Sequence, residues 1–337
     1  MLGLEQRGAR NLIDARKEDW YPEPRGIMEG SMGRQITRVL AAALCTSALS
    51  LAIVLGVTSP AGAQGPQAIT IDSNLTVKLR PYAPMYKIQP FASVVLLTGG
   101  NGVLNLNGAG DIRDSQGNFL IRSARRFLNA RLNVAMLDSE PAFAAPNGLT
   151  NQRLTQAHAD HLAQVIATVR NQWPGKPVWL VGTSNGTLSV FNAAARLTGA
   201  ALPSGIALTS TVTKSDPAGE MGHVLGTSPS LASITVPTFV MAHEKDSCFV
   251  TPPGDAVTIY NGLTGLAPAK KGSAMIKGGL PNIAVTACGA FHHHGYNGVE
   301  QAAVTAIVEF IRNHTSPKLP PPPFKKPLDA PLDKNVQ

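Results

Sequence analysis

The sequence predicts an α/β protein, a mostly parallel, doubly wound sheet flanked by helices. Short apolar runs alternate with amphipathic helical segments along most of the chain. One such run, Val178-Trp179-Leu180-Val181, passes straight into Gly182-Thr183-Ser184-Asn185-Gly186 and then into a helix-like segment at 187–197. Residues 64–337 are also enough chain for one large domain with a substantial core.

The elements follow in order. Segments 68–72 and 75–82 alternate in polarity and read as opening antiparallel strands. Ser93-Val94-Val95-Leu96-Leu97 is a strand that runs into Thr98-Gly99-Gly100-Asn101-Gly102. Segment 118–132 has apolar residues at helical spacing, with Arg122, Arg125, Arg126 and Arg131 outward, and leads into a strand at 133–137. A second amphipathic helix is expected at 154–173 and a last one at 299–314. Further strands are expected at 206–210, 235–242 and, as a β-rich run, 282–286. About two dozen residues separate the strands at 206–210 and 235–242, which leaves little room for a lid. Segment 217–230 is expected to cover the site in part, with Met221, His223 and Leu225 as lining or surface packing. No internal repeat is visible.

Gly-x-Ser-x-Gly between strand and helix marks a nucleophile elbow. The turn is tight enough to demand small residues two places either side of the serine. It also aims helix N-terminal N–H groups at the same spot. Downstream, Asp246 follows a strand and His292-His293-His294 follows another, so a hydroxyl, a carboxylate and an imidazole appear in that order. A serine hydroxyl is a weak nucleophile, so an imidazole must take its proton and a buried carboxylate must orient that imidazole.

Residues 69–314 resemble the α/β-hydrolase superfamily, especially dienelactone-hydrolase-like and esterase-like bacterial serine hydrolases. The resemblance rests on the elbow, on the order of the three residues and on His294-Gly295-Tyr296-Asn297-Gly298-Val299-Glu300. In many members the last motif looks like His-Gly/Ser-Phe/Tyr-x-Gly-x-Glu before a closing helix. It implies the α/β-hydrolase fold, with Ser184 as nucleophile, Asp246 as orienter and His294 as base and then acid. Glu244 rivals Asp246, and His293 rivals His294. The implied oxyanion hole takes the amide of Asn185 and one from the glycine loop, Gly100 first and Asn101 second. Relatives often carry His where this chain has Thr98. No cofactor is implied. A His triplet suggests metal, but adjacent side chains diverge and zinc wants spaced ligands, so no metal is expected. The glycine loop lacks both phosphate-binding spacings.

The first 63 residues read as an N-terminal extension and a secretory signal peptide. Segment 39–57 is apolar and uncharged, follows Arg34 and Arg38, and ends near Ser59-Pro60-Ala61-Gly62-Ala63. At nineteen residues the stretch is also long enough to span a bilayer, so an uncleaved anchor stays open as the one membrane contact. Met28 and Met32 are alternative starts to Met1. Beyond Ala63 only Cys248 and Cys288 remain, two residues after Asp246 and six before His294. Those loops must meet in the folded site, so a disulfide is expected in an oxidising compartment, with free buried thiols as the alternative. Segment 315–337 is proline-rich, with Pro320 to Pro323 in a row, and reads as an extended or disordered tail.

The net charge is +8, but the basic residues are scattered and aromatics are few, which argues against nucleic acid as a partner. The expectation is an exported or cell-envelope serine hydrolase cleaving a small-molecule carboxylic ester through an acyl-enzyme. An amide or peptide hydrolase with the same triad is one alternative, and a non-catalytic cell-envelope binding protein on this scaffold is another. The sequence does not encode the oligomeric state.

Overall fold

In a computed structural model, residues 67–72, 75–80, 89–107, 111–139, 147–216, 222–280 and 285–315 are described. The expected leader or anchor, nearly all of the proline-rich tail, Met221 and most of the run at 282–286 lie outside them.

Eight strands form one sheet among the described residues. They are β1 (Gln67–Asp72), β2 (Leu75–Arg80), β3 (Ala92–Leu97), β4 (Leu132–Leu137), β5 (Val178–Ser184), β6 (Gly205–Thr211), β7 (Thr238–His243) and β8 (Lys271–Ile276). Their spatial order is β1-β2-β4-β3-β5-β6-β7-β8. From β4 to β8 all neighbours are parallel, whereas β1 and β2 pair antiparallel at one edge.

The helices are α1 (Phe119–Arg122), α2 (Ala124–Asn129), α3 (Gln156–Gln172), α4 (Gly186–Arg196), α5 (Asp255–Gly262) and α6 (Glu300–Thr315). Strand residues alternate between two cores. Val95, Leu97, Leu180, Leu208 and Val240 join the apolar faces of α3 and α4. Val94, Leu96, Val181, Ala207 and Met241 join those of α1, α2 and α6. Both faces of the central strands are therefore dry, which is why they read as continuous apolar runs. Trp179 is fully buried, edge-on to Phe310 at 6.0 Å. Gly205 makes room for its ring, since a Cβ there would sit 2.3 Å from it.

Three expectations need correction. The single helix at 118–132 is two short helices, broken where Ser123 takes the C-cap of α1. Arg122 does not face outward but reaches Glu300 and the carbonyls of Gly117 and Gly295. Among the described residues the last strand is β8, which the sequence did not predict. The described end of the 282–286 run, Val285 and Thr286, is not in a strand, and the Thr286 carbonyl accepts the Gly289 amide. β8 begins Lys271-Gly272-Ser273 and is half exposed. Its pairing with β7 and the packing of Phe310 over Gly272, rather than any apolar run of its own, hold it in place. α5 also carries little apolar periodicity and buries mainly Ile259.

Candidate active site

Ser184 ends β5 and is followed at once by α4. Its φ is 52°, in the left-handed region that a non-glycine residue enters only under constraint. The β5–β6 register also shifts between Thr183 and Ser184. A Cβ at Gly182 would lie 2.6 Å from the Gly186 carbonyl oxygen, and one at Gly186 would lie 2.1 Å from that of Leu97. The two glycines are thus what lets the chain turn this sharply. Gly99 packs on the serine itself, where a Cβ would fall 2.8 Å from Ser184 Cβ.

Asp246 lies in the turn after β7, its side chain fully buried. Oδ1 accepts the Cys248 amide at 2.9 Å, and Oδ2 accepts from Thr251 Oγ1 at 3.0 Å. His294 Nδ1 lies 3.0 Å from the same Oδ2 and 3.1 Å from Thr251 Oγ1. The carboxylate accepts, so Nδ1 carries the proton and Nε2 is left as the basic nitrogen. Glu244 is exposed and makes no such contact. His293 instead stacks on His243, ring centroids 4.6 Å apart, with His292 edge-on to it at 5.3 Å. Burial lowers the pKa of both His243 and His293, and both stay neutral at neutral pH.

The loop that carries His294 is pinned from several sides. Tyr296 is fully buried with φ 56°, and its hydroxyl donates to the Met241 carbonyl and accepts the Ser210 amide. Burial raises its pKa and keeps it protonated. Ser210 Oγ donates to the His294 carbonyl at 3.0 Å. A Cβ at Gly295 would lie 1.9 Å from the Ala290 carbonyl oxygen, so that position admits glycine alone. Glu300, the end of the motif, holds Arg122 at 3.0 Å. Cys248 and Cys288 form a disulfide that joins the Asp246 loop to the His294 loop.

Ser184 and His294 line one cavity of about 310 Å³, together with Gly99, Gly100, Phe119 and Ala290. No hydrogen bond among the described residues joins Ser184 Oγ to His294, and none engages the amides of Gly100 or Asn185. Asn101 does not line the cavity, and its carbonyl accepts the Leu149 amide. Nor do His223 and Leu225, whereas Ser115, Gly117, Asn118 and Phe119 do. The three adjacent histidines diverge, and no group of three or more metal-ligating side chains occurs among the described residues. No described helix is long and apolar enough to cross a membrane.

Two groups beside the cavity went unread in the sequence. Thr251, in Asp246-Ser247-Cys248-Phe249-Val250-Thr251, completes the Asp246–His294 contact. Arg153, just ahead of α3, is buried behind the glycine loop. Neither belongs to a motif, and only the fold brings them to the site.

No protein-family model matches the chain, and neither does any curated protein. Solved structures do. A Pyrococcus furiosus esterase superposes with TM-score 0.50 at 14% identity over 74% of this chain and 91% of its own. A puromycin-hydrolyzing peptidase from Mycobacterium tuberculosis gives 0.51 at 12% over 74% of this chain. An acylaminoacyl peptidase from Pyrococcus horikoshii gives 0.50 at 12% over 74%. This chain spans only 39% and 41% of those two peptidases. At such identities the likeness concerns architecture alone. With its parallel sheet, the elbow at Ser184 and the Asp246–His294 pair on loops beyond β7 and β8, the chain has the α/β-hydrolase fold.

Proposed function

We propose that this chain is a serine hydrolase that cleaves a carboxylic ester through an acyl-enzyme on Ser184. The observation that carries the reading is that Ser184, held up by its elbow, shares one cavity with a histidine whose Nδ1–H is committed to a buried carboxylate. In the substrate complex His294 Nε2 takes the Ser184 proton as Oγ attacks the carbonyl carbon. The carbonyl π pair moves onto oxygen, where the Asn185 amide and a glycine-loop amide, Gly100 first, stabilise the anion. Collapse breaks the bond to the alcohol oxygen, which leaves with the proton from His294. Water then repeats the sequence on the acyl-enzyme and releases the acid. Asp246 stays ionised throughout and stabilises the imidazolium.

Several features favour an uncharged ester. Glycines and Ala290 make much of the cavity wall, with Ser115, Asn118 and Thr183 as neutral polar groups and Phe119 as the aromatic one. Among the described residues no Asp, Glu, Lys or Arg lines it, so none of them would pair with a charged acyl group or a free amine. The architectural likeness to two peptidases motivates a second reading, amide cleavage by the same groups. The disulfide suits an oxidising compartment and hence export.

The test is a series of p-nitrophenyl esters of rising acyl length beside a p-nitroanilide, with labelling by a fluorophosphonate. Ester turnover and labelling should both be lost in Ser184→Ala, apart from the residual rate that binding and the oxyanion hole supply. Undiminished turnover by a pure Ser184→Ala sample would refute the reading. Faster anilide than ester cleavage would favour the second one.

A further inference from the structure

We infer that Arg153 is a positioning residue that sets both halves of the oxyanion hole at once. The inference rests on the serine-hydrolase reading and extends it to a residue outside the cavity wall. An oxyanion hole works only if its donors are fixed before charge develops. The donor loop here is poorly suited to fix itself, because Gly99, Gly100 and Gly102 lie within four residues. Gly100 and Gly102 have φ of 60° and 80°. Something outside the loop must hold it.

Arg153 is 1% exposed, and its guanidinium reaches both sides of the hole. Nη2 donates to the carbonyls of Thr98 and Gly100, each at 3.1 Å. Nη1 donates at 2.9 Å to Ser189 Oγ, on the helix whose N-cap is Asn185. A trans peptide points its C=O and N–H in opposite directions. Capture of the Thr98 and Gly100 carbonyls therefore turns the amides of Gly99 and Asn101 away from the guanidinium. It also fixes the two peptide planes that flank the Gly100 amide. Asn185 Nδ2 adds a second donor to the Gly100 carbonyl at 3.1 Å, so the two halves are also tied directly.

The surroundings make room for this contact. A Cβ at Gly102 would lie 2.7 Å from Arg153 Nη2, so that glycine opens the guanidinium's path. The turn that carries Arg153 also donates the Leu149 amide to the Asn101 carbonyl at 2.8 Å. On the far side, His158 Nε2 lies 2.9 Å from Ser189 Oγ and holds that hydroxyl in place. A rigid, planar fork of five donors can serve two loop carbonyls and a helix hydroxyl together, which a lysine ammonium on a flexible stem cannot do in the same plane.

The test compares Arg153→Lys and Arg153→Met with the native enzyme, using p-nitrophenyl acetate turnover and phenylboronic acid inhibition. Thermal unfolding serves as the control for folding. Loss of an oxyanion donor costs on the order of 10²–10³ in kcat. Arg153→Met should fall in that range with KM within about twofold, and boronate affinity should drop in parallel with kcat. A merely structural residue would lower the melting temperature and leave kcat and boronate affinity of the folded fraction intact, and that result would overturn the inference. If Arg153→Met does not fold, Ser189→Ala removes only the helix anchor and should lower kcat about three- to tenfold, KM unchanged. Native kcat in folded Ser189→Ala would equally overturn it. Failure of the native protein to show Ser184-dependent turnover would sink the hydrolase reading itself, an outcome distinct from an active enzyme indifferent to Arg153.

Discussion

Thr251 Oγ1 stands 3.0 Å from Asp246 Oδ2 and 3.1 Å from His294 Nδ1, so hydroxyl, carboxylate and imidazole close a triangle inside the protein. The Thr251 proton goes to the carboxylate, and the imidazole proton is shared across the triangle's other edges. Asp246 thereby has donors on both carboxylate oxygens in a dry site. It is also held at the angle that leaves His294 Nε2 free to accept a proton.

Thr251→Val should therefore weaken catalysis while leaving the fold intact. A hydrogen bond to a charged group contributes about 1.5–3 kcal/mol, equivalent to a fall of about tenfold or more in kcat/KM. Thr251→Ser keeps the hydroxyl and should recover most of the rate. Equal rates for the valine and serine variants would show that the hydroxyl plays no part.

Cys248 and Cys288 tether the two loops that carry Asp246 and His294, across 40 residues of sequence. Chain-entropy arithmetic for a loop of that size gives about 4 kcal/mol as an upper figure. Replacing both cysteines by serine should lower stability by up to that amount, measured by denaturant unfolding, and should lower kcat more than it raises KM. An unchanged kcat in the folded double variant would confine the disulfide to a stabilising role.

Gly99→Ala should damage the site directly. The added methyl would lie 2.8 Å from Ser184 Cβ and 3.4 Å from Ser184 Oγ, with the Thr183 carbonyl oxygen at 3.1 Å. Overpacking of this kind costs about 1–3 kcal/mol, and here the strain falls on the nucleophile and the glycine loop. The expected result is at least about a tenfold drop in kcat with slower fluorophosphonate labelling. Native labelling by Gly99→Ala would contradict the packing drawn here.

Acid should destabilise the fold through the stacked pair His243 and His293. Burial is the first cause of the lowered pKa in each, and in His293 the neighbouring His292 adds to it. The unfolded chain recovers the ordinary value of about 6.5. Below that pH it takes up protons that the folded protein refuses, so stability present above about 6.5 is lost as pH falls toward the lowered folded values. Melting temperature should decline between pH 7.5 and 5, and His293→Gln should flatten the decline. Parallel profiles for the native protein and that variant would assign the effect to other groups.

Local chemistry is readable from sequence wherever one short segment carries it. The elbow is such a case: glycines two places either side of Ser184, an apolar strand before it and a helix after it fit one backbone path. The central strands are another, because burial on both faces leaves runs such as Val94-Val95-Leu96-Leu97 with no polar interruption. The closing motif from His294 to Glu300 also carries its reasons locally, since Gly295 sits against Ala290 and Tyr296 turns inward.

Contacts between distant segments needed the fold. The sequence favours Asp246 but keeps Glu244 on the same loop as a rival, and burial of one with exposure of the other separates them. β8 was missed because its stability comes from its neighbour β7 and from Phe310, not from its own residues. Arg153 looks like a surface cation in a polar turn until the packing brings it beneath Thr98, Gly100 and Ser189. The sequence by itself determined the α/β alternation, the strained serine and the order of the three reactive groups, because backbone sterics and periodicity act over a few residues. Only the tertiary structure decided which carboxylate meets the imidazole, what steadies it and what anchors the glycine loop. Those outcomes depend on burial and on hydrogen bonds that close over tens of residues.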